Sequence, residues 1–239
     1  MYNATTDKNI LEKSISKLNE IYDSIPSTKG CMEWINKDEK DGGCGAWCCS
    51  KQYPQVLYVE FKNIWNFVIN NWGKERFVAL VESSLMAYLL DEHRMTCVFW
   101  NKNDKTCQCH QHRPFNCRVY GILPEEEFKP RYEKLKILYP NSRNQCNLIS
   151  TVNGEKITKD QVDLWWKQIH EVESSIGINP GFIHDEFGGS YRTFYEHVLL
   201  ETMGEQGMEM LSKMRIEYSD EGKLESIKMC IKSLSNSVG

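Results

Sequence analysis

Along residues 7–24 apolar side chains return every three or four positions, at Ile10, Leu11, Ile15, Leu18, Ile21 and Tyr22. That spacing puts them on one side of a helix, so the pattern predicts an amphipathic helix that Pro26 ends. The pattern lapses over residues 27–57, which are rich in Gly, Lys and Cys and have no clear period. Such a segment has little surface with which to order itself against a core, and a bound metal would supply the missing constraint. Periodicity returns over 58–92 in two stripes. Phe61, Ile64, Trp65 and Val68 form the first; Phe77, Leu80, Val81, Leu85, Tyr88 and Leu89 form the second. The break at Asn70-Asn71-Trp72-Gly73 turns them into a helical hairpin.

Residues 96–109 change period. Thr-Cys-Val-Phe-Trp, a polar stretch from Asn101 to Lys105, and Thr-Cys-Gln-Cys read as two short strands about a turn, which would bring Cys97 near Cys107. A helix is expected over 125–139, with Glu125, Glu126 and Glu127 in its first turn, where the helix dipole favours them. Leu148–Val152 and Glu155–Thr158 flank Asn153-Gly154, a dipeptide suited to a tight hairpin turn. Thr158 and Gln161 form a capping box that opens a helix to about Ser175, with Val162, Trp165, Trp166, Ile169 and Val172 on its apolar side. Gly177–Gly189 reads as a loop, followed by helices near 190–216 and 222–234. The expected fold is mainly α with irregular cysteine-rich loops and one or two short β-hairpins. Residues 1–147 are expected to form a cysteine-rich metal module with the helical hairpin. Residues 148–239 form a helical C-terminal part that could continue the same domain.

Composition narrows the function. With 26% charged and 41% hydrophobic residues the chain is of ordinary globular type. A net charge of −4 argues against a nucleic-acid partner, which needs a basic footprint. No apolar run approaches the roughly 18 residues of a membrane span, and the first ten residues lack the pattern of a secretory signal. A cytoplasmic protein without membrane contact is therefore expected. Disulfides are rare in that compartment, and a disulfide framework belongs to short secreted chains.

The candidate chemistry lies in ten cysteines, eight of them between Cys31 and Cys117. Thiolates bind soft metals. The chain has no Cys-x2-Cys knuckle of the kind that aims two sulfurs at one zinc ion. Cys48 and Cys49 are adjacent, so their side chains diverge, which suits a multinuclear cluster or two neighbouring sites. Cys31, Cys44, Cys48, Cys49, Cys97, Cys107, Cys117 and Cys146 are the candidate ligands, enough for one or two four-thiolate clusters. Arg113 and Arg118 flank Cys117 and could offset the negative charge of such a cofactor. Trp47, Trp100 and Phe115 lie beside cysteines and could exclude water, although core filling is the simpler reading. His110 and His112 sit in the same run, where solvation or hydrogen bonding is commoner than ligation. Cys230, on an amphipathic helix, reads as a small buried hydrophobe.

Three elements, Cys44-Gly-Ala-Trp-Cys-Cys, Cys97-Val-Phe-Trp and Cys107-x5-Arg113-Pro114-x2-Cys117-Arg118-x-Tyr120-Gly121, resemble the YkgJ-like cysteine-cluster family. That family is described as a zinc- or iron-chelating domain with a Cys-x2-Cys-x3-Cys-Cys signature, and a related cluster occurs in flagellin lysine-N-methylases. The resemblance covers about residues 31–121. The cysteine that the signature places three residues before Cys44 is replaced by Asp41, and Cys31 stands as its substitute. Cys109 occupies a position where the family more often has an aromatic residue, which ranks it below Cys107 as a ligand.

No dinucleotide fingerprint, phosphate-binding loop, nucleophile elbow or zinc-protease helix motif occurs, and the spacing of a radical S-adenosylmethionine cluster is absent. The loop 179–190, with His184, Asp185 and Glu186, reads as a polar connection. The reading with most support is a 4Fe–4S protein, with one or two clusters, in electron transfer or in redox service to a partner enzyme. Two alternatives stand beside it. One is a cluster-dependent enzyme acting on a small molecule or protein side chain, as the methylase relatives imply. The other is a structural zinc protein that binds other proteins.

Overall fold

The computed structural model describes residues 7–28, 48–49, 54–91, 96–103, 106–138, 151–177 and 191–237. In chain order its helices are α1 (Lys8–Asp23), α2 (Tyr58–Asn71), α3 (Lys74–Leu89), α4 (Phe115–Val119), α5 (Glu125–Leu138), α6 (Lys159–Ser175), α7 (Phe194–Glu217) and α8 (Asp220–Ser237). The strands are β1 (Gln55–Val56), β2 (Trp100–Asn101), β3 (Thr106–Cys107) and β4 (Arg192–Thr193). Helices with short strands and cysteines in loops are the expected class. None of the described helices is long and apolar enough to cross a membrane. The chain divides into two compact units, Met1–Cys48 with Arg113–Ser190 and Cys49–His112 with Tyr191–Gly239.

In the first unit α1 begins at Asp7, whose carboxylate accepts from the Asn9 amide at 2.8 Å, and it buries Leu18, Ile21 and Tyr22 against α6. Across that contact the Ser14 and Ser175 hydroxyls lie 3.1 Å apart. The capping box at Thr158 forms as expected: the Thr158 amide donates to Gln161 Oε1 at 2.9 Å, and the Gln161 amide donates back to Thr158 Oγ1 at 3.3 Å. The hairpin expected around Asn153-Gly154 does not form among the described residues. Gly154 takes φ +75° and closes a turn to the Thr151 carbonyl, but Thr151 bridges to Thr28, and residues 155–158 form no strand. The turn is centred on Val152-Asn153 with Gly154 as its last residue, one position earlier than the Asn153-Gly154 centre expected, and the bridge partner of Thr151 is Thr28, 123 positions away in sequence.

In the second unit α3 packs on α7 and α8, and α2 also reaches α7. The core holds Phe61, Ile64, Leu85, Leu89, Val198 and Leu199, all nearly sealed from solvent. The two stripes seen in sequence are thus the inner faces of α2 and α3, and the break between them falls at Trp72-Gly73. A small antiparallel pairing of β1 with β4, unmarked by any local period, sets Val56 opposite Arg192. It places the Val56 carbonyl 3.1 Å from Nε2 of buried His197, whose ring stacks on Phe61 at 4.7 Å. The helix expected near 190–216 is interrupted at Gly204, where φ +69° and ψ −178° are backbone angles that favour glycine.

Candidate metal centre

The hairpin expected over residues 96–109 forms in the second unit, but shorter than its sequence suggested. Trp100 pairs with Cys107 and Asn101 with Thr106. Cys97 is outside the strand. It opens a tight turn in which the Trp100 amide donates to the Cys97 carbonyl at 3.0 Å, and its own amide donates to the Cys49 carbonyl at 2.7 Å. Cys49 and Cys97 are therefore tied through backbone rather than through strand pairing.

After Cys107 the chain turns. The Gln108 amide donates to the Phe99 carbonyl at 2.9 Å, and the His112 amide donates to the Cys109 carbonyl at 2.9 Å within a 3-10 turn, His110–His112. Two helices hold this turn from outside. The His112 ring stacks on Phe67 of α2 at 4.4 Å. Arg76 of α3 donates through Nε to Gln108 Oε1 at 3.1 Å, with its guanidinium 3.9 Å over the Trp72 ring. The Cys-Gln-Cys segment is fixed at both ends and at its middle residue.

This arrangement brings the Cys107 and Cys109 sulfurs to 3.8 Å. Cys109, Cys49 and Cys97 are buried, and Cys107 is half-buried. None of the described cysteines is in a disulfide. The Cys107 thiol is held well below the usual thiol range, first by the Cys109 thiol donating to it, then by the Cys49 thiol and the Cys109 amide, with His110 adding charge. Burial opposes the shift and is outweighed. The sulfur most prepared to be a thiolate is thus surrounded by other sulfurs, as metal ligation requires.

The donor set can be tested against a metal. Bonds of about 2.3 Å from a tetrahedral ion set two sulfurs about 3.8 Å apart. The Cys107–Cys109 separation equals that edge. Among the described residues no three His, Cys, Asp or Glu side chains already form a metal-holding group. What is present is one prepared edge, with the Cys49 thiol at the same sulfur and Cys97 joined to Cys49 by backbone.

The expected ligands divide. Cys49, Cys97 and Cys107 come together in the second unit, whereas Cys48 and Cys117 belong to the first. Cys48 is in helical conformation and half-buried; Cys117 sits on α4, also half-buried. Cys31, Cys44 and Cys146, along with Trp47 and the loop 179–190, lie outside the described residues. In the first unit, Arg118 donates through Nε to the Arg113 carbonyl at 2.8 Å and covers the Tyr22 ring at 4.2 Å; Arg113 is buried. Phe115 stacks on Trp166 at 5.3 Å, the core role anticipated for it. Cys230 is half-buried on α8. Cys109, expected to rank below Cys107, is the residue whose sulfur lies beside that of Cys107. The available signal was the Cys-x-Cys spacing itself, which a turn can close into a sulfur pair.

Residues 40–148, which contain eight of the ten cysteines, match the model of the family CxxCxxCC, described as "Putative zinc- or iron-chelating domain". Comparisons with curated proteins and with solved structures return no match. Cys44-x3-Cys48-Cys49 and the sulfur pair at Cys107 and Cys109 lie within the matched span, and over residues 40–148 the chain is similar to this family of zinc- or iron-chelating domains.

Proposed function

We infer that this chain carries a redox-active iron–sulfur centre and serves in electron transfer or as a redox accessory to a partner enzyme. Cys49, Cys97, Cys107 and Cys109 are the thiolates that would hold it. The excess of thiols over four and the lack of Cys-x2-Cys knuckles support iron–sulfur over zinc. The observation that carries the metal reading is the 3.8 Å sulfur edge at a depressed thiol. It also bears on the cluster type. Four thiolates on a four-iron cube give one per iron, whereas four on a two-iron centre give two per iron. An edge that suits one ion favours the two-iron form over the cube expected from sequence. When bound, the centre supplies a one-electron couple, and the protein supplies burial, thiolate preparation and a fixed turn.

A second reading is favoured by the same edge: a tetrahedral zinc ion that folds the loop-rich part of the chain. One experiment separates the two. Protein purified without oxygen is analysed for iron, acid-labile sulfide and zinc, and its visible spectrum is recorded before and after reduction. Iron and sulfide in equal amounts with a band that bleaches on reduction support the first reading. One zinc per chain with no sulfide overturns it in favour of the second.

A further inference from the structure

Trp100 stands between two of the candidate ligands. Its amide closes the turn that begins at Cys97, at 3.0 Å, and in the hairpin it is the direct cross-strand partner of Cys107. Directly opposed residues of an antiparallel pair project to the same face, with Cβ atoms about 5 Å apart. The Trp100 indole Nε1 is buried and has no hydrogen-bond partner among the described residues. A buried donor left unsatisfied is costly, and an indole N–H can only donate, so the position calls for an acceptor. A metal-bound thiolate or sulfide is anionic and accepts well.

We propose that the Trp100 indole N–H is the hydrogen-bond donor to the sulfur of the metal centre beside Cys107. Trp100 is a positioning residue: it stabilises the charged sulfur and thereby retains the metal. The proposal rests on the thiolate-centre reading and adds a residue that is not itself a ligand. Phe99 and Trp72 support the assignment from behind the strand. Trp72 meets the Phe99 ring edge-on at 6.0 Å, and Phe99 meets Phe194 at 4.9 Å, so the hairpin carrying Trp100 is anchored in an aromatic cluster.

The test uses the full chain reconstituted with zinc, a diamagnetic probe of the same thiolates. The seven tryptophans are labelled with nitrogen-15 and their indole N–H signals followed with and without zinc. The Trp100 signal, assigned from its contacts with Cys97 and Cys107 protons, should move downfield on zinc binding and exchange more slowly with solvent. W100F should release zinc to a chelator on the order of ten-fold faster, the loss of one hydrogen bond to a charged acceptor. A Trp100 signal unmoved by zinc overturns the proposal even if W100F does not fold, and so does wild-type release from folded W100F. Zinc content in C107S read alongside separates the two levels. If C107S keeps full zinc, the ligand reading itself fails. If C107S loses zinc while W100F behaves as wild type, only the role of Trp100 fails.

Discussion

Replacing Cys109 by serine is the sharpest test of the sulfur edge, because the sequence alone ranks that residue below its neighbours. The substitution keeps size and removes one soft donor from the pair that lies 3.8 Å apart. Structural zinc held by four protein ligands is bound with about 10–16 kcal/mol, so one ligand of four accounts for about 3 kcal/mol, or roughly a hundred-fold in affinity. Removing Cys109 also removes the foremost hydrogen bond to the Cys107 thiol, which adds proton competition at that sulfur and pushes the loss the same way. The assay is a titration of the zinc-loaded protein against a coloured chelator at fixed pH, with C230S as control. C109S should release zinc at about hundred-fold lower chelator. C230S should match the wild type, since Cys230 lies on α8 and not in the cysteine-bearing hairpin. A C109S protein within threefold of wild type would refute the edge as a ligand pair.

Three further outcomes are expected. In the metal-free protein Cys107 has a depressed folded value, so its ionisation favours the fold above the ordinary thiol value near 8.5, and that contribution is lost as pH falls through the folded value. C109A should move the ultraviolet thiolate titration upward in pH, and an unmoved midpoint would contradict the hydrogen-bond cause. Arg76→Ala removes a guanidinium stacked 3.9 Å over Trp72 and its bond to Gln108, which should cost about 1 kcal/mol in urea unfolding and quicken metal release. Gly204→Ala places a Cβ at φ +69°, where space is open but the backbone is strained, and should cost about 1–3 kcal/mol by thermal unfolding.

The helices were legible because each buries one face. Phe61, Ile64, Trp65 and Val68 announce α2, and the Thr158–Gln161 pair announces the start of α6, through spacing that needs no distant partner. The strands were legible only in part, since pairing such as Val56 with Arg192 or Thr28 with Thr151 is set by which segments meet, and no local period records it. The site shows the same division. The expectation that Cys107 is a ligand comes from its neighbours in sequence. That Cys109 lies at the same place follows from the turn after Gln108, which Arg76, 32 positions earlier, holds at Gln108 and which closes from the His112 amide to the Cys109 carbonyl. The helical hairpin thus does more than bring distant cysteines into one unit. Gln108 is pinned from α3 and His112 from α2, and the turn between them holds the Cys107 and Cys109 sulfurs 3.8 Å apart.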